Sequence, residues 1–183
     1  MQNQRTFYQR YARDVKPGTL TWIGLRPARK ETMVEVSQAY ALAGLGLQGD
    51  HRAEKTAGSG RQITLISEEF IAQIAHFTGR QELAPSLLRR NLVVKGINLN
   101  AIRHQQFMIG GALFEATALC HPCSRMEQAL GKGGVSAMLG YGGLCAKIID
   151  SGTIRIGDTV SLDTEQGELF HANQDSFPRL PVP

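Results

Sequence analysis

Glycine cuts this chain into short runs of β-branched and aromatic residues, and that pattern limits its fold more than any other feature. The runs are TLTWIGLRPA (19–28), ETMVEVSQAYALAG (31–44), RQITLIS (61–67), the NLVV end of segment 85–96, the stretch 107–119 broken at Gly110-Gly111, and GLCAKIID with TIRIGDTVSL on either side of Ser151-Gly152. Side chains of this type favour strands, and 20 glycines in 183 residues supply the turns between them. Many short strands and few helices predict an α+β fold built on a β-rich, barrel-like sheet, and argue against a parallel α/β sheet. A basic turn joins the first two runs, and the last two are expected to form a hairpin about Ser151-Gly152.

Helical signals are sparse and local. Ser67 can cap a helix whose Glu68 and Glu69 suit its positive end, with Phe70, Ile74 and Phe77 on one face and Gly79 as a stop. SRMEQALG (124–131) reads as a second short helix closed by glycine, and Pro85 opens a helical turn. Residues 1–15 read as a helix ended by Pro17-Gly18, so the expected organisation is an N-terminal extension over 1–18, one domain over 19–162 and a polar tail over 163–183. The N-terminus interrupts with charge what would be the apolar core of a signal peptide, and no stretch approaches the ~18 apolar residues of a membrane span. Three cysteines are too few for a disulfide framework, so the expectation is a cytoplasmic chain with reduced thiols and no membrane partner. A net charge of +4, scattered along the chain, suits a small anion rather than nucleic acid.

Several short motifs carry chemistry. GLGLQG (44–49) spells a dinucleotide fingerprint, but the polar GDHRAEKTAGSG that follows cannot make the required helix, so a connection between strands is the better reading. Cys120-His121-Pro122-Cys123 lies between a strand and a helix, as a thiol–disulfide centre would, yet no downstream proline precedes Pro178. Zinc would need further ligands at a suitable spacing. Cys120, ending an apolar run, and Cys145, inside a strand pattern, read as small buried hydrophobes. Cys123 stands at the mouth of a helix, where a thiolate is stabilised as a nucleophile or a soft-metal ligand. Arg89-Arg90-Asn91 and Arg61-Gln62 fit solvated strand edges, or guanidinium forks for a phosphate with Asn91 at a ring edge. Asp50-His51 fits a general acid–base pair, or a turn in which the aspartate holds backbone amides.

In order, LQGDH (47–51), GRQITLIS (60–67), LLRRNLVVKGINLN (87–100), FMIGGALFEATALCHPCSRME (107–127), GYGGLCAKIIDSG (140–152) and IRIGDTV (154–160) resemble the MOSC domain family, named for the C-terminal domain of molybdenum cofactor sulfurase. The resemblance implies a barrel-like α+β fold and a site for molybdenum cofactor, a pterin dithiolene carrying a phosphate. Cys123 matches the cysteine that ligates molybdenum in mitochondrial amidoxime-reducing relatives. Arg89 and Asn91 match the family's Arg-x-Asn pair for the pterin and its phosphate, and Arg61 matches a further basic contact. His121 stands where those relatives carry serine. The sulfurase members add a pyridoxal phosphate domain, for which this chain has no room. The resemblance therefore implies an enzyme reducing N-hydroxylated compounds with electrons from a separate donor protein, with His121 or Asp50-His51 as proton source. Its alternative is a non-catalytic carrier of the cofactor, or of persulfide sulfur on Cys123.

Overall fold

Residues 8, 10–12, 14–55 and 57–163 are described by the computed structural model of the chain. The expected extension over 1–18 lies partly outside those residues, and the expected tail lies outside them beyond Asp163; Tyr8 and residues 10–12 are helical. The strands are β1 (Gly18–Leu25), β2 (Val34–Val36), β3 (Gln38–Leu42), β4 (Gly46–Leu47), β5 (Ile63–Ser67), β6 (Leu92–Lys95), β7 (Gln106–Ile109), β8 (Ala112–Leu119), β9 (Leu144–Asp150), β10 (Gly152–Arg155) and β11 (Thr159–Leu162). Three short helices join them, α1 (Glu68–Phe77), α2 (Ser124–Leu130) and α3 (Gly134–Met138), with a 3-10 turn at Pro85–Leu88.

The order β11-β7-β8-β9-β5-β6-β1 closes on itself because β11 also pairs with β1, giving a seven-stranded barrel with β2 added to β1. Closure satisfies both edges that an open sheet would expose. Only β5 and β6 run parallel among these pairs, and α1 supplies the crossover a parallel pair needs. A small sheet, β10-β3-β4, lies beside the barrel.

Two of the expected strand readings are corrected. Segment 31–44 is not one strand: it bends at Ser37 so that β2 stays with the barrel and β3 joins the small sheet. The hairpin expected about Ser151-Gly152 does not form, since β9 pairs with β5 and β8 whereas β10 pairs with β3. A side chain at Gly152 would meet the Gly111 carbonyl oxygen at 2.0 Å, so the chain turns a corner there against the β7–β8 turn.

Strand alternation sorts the core into two parts. Leu20, Leu65, Leu92, Phe107, Phe114, Leu144 and Ala146 fill the barrel, with Phe107 and Phe114 stacked at 5.4 Å. Trp22, Ile66 and Val93 point outward and are covered by Ile74 of α1, Met126 of α2, Met138 of α3 and Leu88. α1 begins as its sequence predicts, with the Ser67 hydroxyl accepting from Phe70 N at 3.2 Å. Ser67→Ala should cost about 1 kcal/mol, read as a lowered urea midpoint with an unchanged slope. Among the described residues no helix is long and apolar enough to cross a membrane.

Candidate functional site

The outward face carries a row of polar groups across five adjacent strands. In sheet order they are Cys120 just past β8, Cys145 on β9, Thr64 on β5, Asn91 just before β6 and Arg26 just past β1. Alternation puts the middle three there, because Leu144 and Ala146, Ile63 and Leu65, and Leu92 all face the barrel core. Cys120 joins them through a break in register. Ala112, Phe114 and Ala116 face inward, but β8 slips by one residue between Ala116 and Ala118, so that Leu119 packs against the barrel core and Cys120 turns out of it. A one-residue bulge exchanges the faces of a strand.

At one end, Arg26, Asp50 and Asn91 form a closed network. Asp50 Oδ2 accepts from Arg26 Nε at 3.0 Å, from Arg26 N at 3.1 Å and from Asn91 Nδ2 at 2.8 Å, while Arg52 N donates to Oδ1 at 2.9 Å. Asn91 also donates to Gly24 O, and its Oδ1 accepts from Arg26 Nη2, Thr64 N and the Thr64 hydroxyl. Every polar atom of the Asn91 amide is thereby engaged within the protein. Burial works to raise the Asp50 pKa, but the Arg26 charge and the Arg52 and Arg26 hydrogen bonds outweigh it and hold the carboxyl below its ordinary value. Asp50 thus serves as a fixed anion holding backbone amides. His51 stands beside it with Nδ1 3.6 Å from Asp50 Oδ1, buried and without a hydrogen bond.

The adjacent arginines part company. Arg89 takes a left-handed backbone (φ 55°) at the end of the 3-10 turn, which sends successive side chains to different places. Arg90 is buried and donates through Nε to Gly142 O at 2.8 Å, Nη1 to Leu88 O at 2.9 Å and Nη2 to Cys120 O at 3.3 Å. Arg89 donates to Glu31 O at 2.9 Å. Its pKa is lowered by burial and by the charges of Arg26 and Arg125, against which Asp50 and Cys123 act. Arg26 and Arg125 are therefore each close enough to repel Arg89, and Cys123 close enough to attract it.

Cys123 is exposed and occupies the N-cap of α2 without using its side chain to cap it. His121, in the turn before it, is exposed. Cys120 is half-buried and Cys145 is 1% exposed. Interaction with the Cys145 thiol, together with the charges of Arg90, Arg61 and Arg26, outweighs burial and brings the Cys120 pKa down to about 6, while the same interaction and burial push Cys145 far up.

Of the residues singled out by sequence, Asp50, His51, Asn91, Arg89 and Cys123 thus gather at one region, and Arg61 acts on the Cys120 end of it. Sequence reasoning missed Arg26, Arg125 and the Cys120–Cys145 contact. A charged residue closing an apolar strand was the available signal for Arg26; nothing local signals the thiol contact, because it joins two strands.

The MOSC domain model matches residues 52–161. Among solved structures, the YuaD protein of Bacillus subtilis aligns with a TM-score of 0.70 at 17% identity, over 81% of this chain and 97% of that one. YiiM from Escherichia coli aligns with a TM-score of 0.62 at 18% identity, over 79% and 69% of the two chains. YiiM from Geobacillus stearothermophilus gives 0.65 at 13% identity, over 87% and 86%. At these identities the likeness is one of fold. No curated protein matches the chain.

Proposed function

This chain belongs to the MOSC domain family, and from that premise we propose that it binds molybdenum cofactor through Cys123 and reduces N-hydroxylated compounds with electrons from a separate donor protein. The observation that carries this reading is an exposed thiol, Cys123, in the field of Arg89, whose own charge is opposed by Arg26 and Arg125 nearby. Such a site suits a ligand that is anionic and has affinity for sulfur. Among the described residues no three His, Cys, Asp or Glu side chains gather as a metal site. A metal held here would therefore bring most of its ligands with it, as a metal–dithiolene does, and take one sulfur from the protein.

The residues present fit that group. Cys123 would give the thiolate, and Arg89, with Arg61 across the row, would bind the phosphate and pterin. Asn91 would act by fixing Arg26 rather than by touching the ligand, since its amide is fully engaged. When bound, the cofactor would supply two-electron redox chemistry. Reduction of R–NHOH to R–NH2 and water takes two electrons and two protons. His121, exposed and two residues before Cys123, would deliver a proton to the leaving hydroxyl, with the unpartnered His51 Nδ1 as the second candidate. Asp50, held ionised, would orient rather than donate.

The test is molybdenum and pterin content in wild type and Cys123→Ser purified from a host that makes the cofactor. Wild type should carry metal near one per chain and the variant at least tenfold less, with its melting temperature unchanged. Wild type without metal or pterin after reconstitution would overturn the reading. The exposure of Cys123 also favours a second one, a persulfide carrier. That reading predicts sulfur transfer to an acceptor without multiple-turnover reduction.

A further inference from the structure

The paired sulfurs of Cys120 and Cys145 take no part in the function proposed above. Cys145 lies opposite Ala118 in the β8–β9 ladder, so Cys120, two residues on, is its diagonal neighbour on the same face. Cys120 N donates to Gly143 O at 2.8 Å. A side chain at Gly142 would meet Cys120 O at 2.1 Å, so glycine there lets the Cys120 backbone press against the start of β9. The two thiols act on one another across this diagonal, and that interaction favours the anion at Cys120 over Cys145.

The charges around the pair favour an anion at Cys120. Arg90 is buried, and among the described residues its hydrogen bonds go to carbonyls and no carboxylate pairs with it. A buried cation without a counter-charge is costly. A thiolate on Cys120, whose carbonyl Arg90 already holds, supplies that charge, and Arg61 and Arg26 add to the same field. Cys120 is half-buried, which admits a small reagent, whereas Cys145 is sealed beneath it.

We propose that Cys120 and Cys145 form a peroxide-reactive thiol pair in which Cys120 is oxidised first and Cys145 resolves it as an intramolecular disulfide. The Cys120 thiolate attacks one oxygen of a hydroperoxide; the S–O bond forms, the O–O bond breaks, and the departing oxygen leaves as hydroxide or alkoxide and takes a proton from solvent. Cys145 then attacks the Cys120 sulfur, the S–S bond forms, and the hydroxide lost with the S–O bond takes up the Cys145 proton as water. Two thiols are oxidised and one peroxide is reduced. A dithiol reductant restores the pair. Because β9 and the turn leading to Cys123 are then tied together, oxidation reports directly on the segment that carries the exposed cysteine.

The experiment treats the purified full-length chain with hydrogen peroxide, blocks remaining thiols and fragments the unreduced tryptic peptides by tandem mass spectrometry. Wild type and Cys123→Ser should both show the Cys120–Cys145 link, and Cys120→Ser should show at least tenfold less. Cys145→Ser and Cys145→Ala should instead collect a dimedone adduct on Cys120. Circular dichroism checks that each variant is folded, and the wild-type assignment needs no variant. A Cys120–Cys123 link, oxidation confined to Cys123, or an unmodified Cys120 in folded wild type would overturn the proposal. Cofactor-free protein serves equally well, so failure of molybdenum binding and failure of this pair are separate results.

Discussion

Gly143→Ala is expected to remove most of the stability of the fold. Gly143 has a φ of +83°, and an added Cβ would lie 1.9 Å from Leu65 O, 2.9 Å from Leu65 C and 3.1 Å from Ile66 Cα. These are backbone atoms of β5, which is paired on both sides and packed against both cores, so nothing there can move aside cheaply. The same residue receives the Cys120 N–H. The expected loss is about 4 kcal/mol or more, in the range reserved for a named steric cause. Gly140→Ala is the control. Its φ is +81° but no atom lies within 4 Å of the added carbon, so it should lose only about 1–2 kcal/mol for a left-handed alanine. Urea unfolding of the pair separates the two terms, and equal midpoints would show that β5 yields after all.

Asp50→Asn should cost about 3–5 kcal/mol, because it leaves Arg26 buried beside a neutral amide. The Arg26 side chain is 10% exposed and that of Asp50 2%, and the substituted amide would turn an N–H towards one of the donors that Asp50 now receives. For a chain of this size the melting temperature should drop on the order of 10 °C. The pH dependence gives a second check. The folded Asp50 pKa is lowered, so its contribution is complete above the unfolded aspartate pKa of about 4 and fades as the pH falls through the folded value. Wild type and variant should therefore differ at neutral pH and converge in acid. A gap that persists below the folded pKa would mean that side-chain shape, and not charge, was lost.

Features set by neighbouring residues were readable in the sequence, and features set across strands were not. α1 is legible because Ser67, Glu68, Glu69 and the Phe70–Ile74–Phe77 spacing are local signals, and Ser67 caps it. β propensity identifies strands without naming their partners. The run after Ser151 therefore reads as the partner of β9, whereas β10 pairs with β3. The bulge at the end of β8 has no local mark, so Cys120 read as core. The left-handed turn at Arg89 likewise decides which of two adjacent arginines is buried, and no composition rule anticipates it. The Arg26–Asp50–Asn91 network joins positions 24, 65 and 41 residues apart. Cys123 and Arg89 stood out through the ordered MOSC motifs, which encode these long-range relations without explaining them.

The seam that closes the barrel also fixes where other machinery can be attached. Gly18 pairs with Val160 and Thr19 with Thr159, so the strands at the two ends of the barrel lie side by side. From that seam β1 runs 8 residues before reaching Arg26, roughly 25 Å at strand rise. If the proposed function holds, an electron-donating module joined directly to β1 at Gly18 or to β11 at Leu162 would begin at the pole of the barrel remote from Arg26. A short tether would hold its redox centre too far away for rapid transfer. An efficient fusion needs a linker able to cross the length of the barrel, or a donor that docks on its own over Cys123.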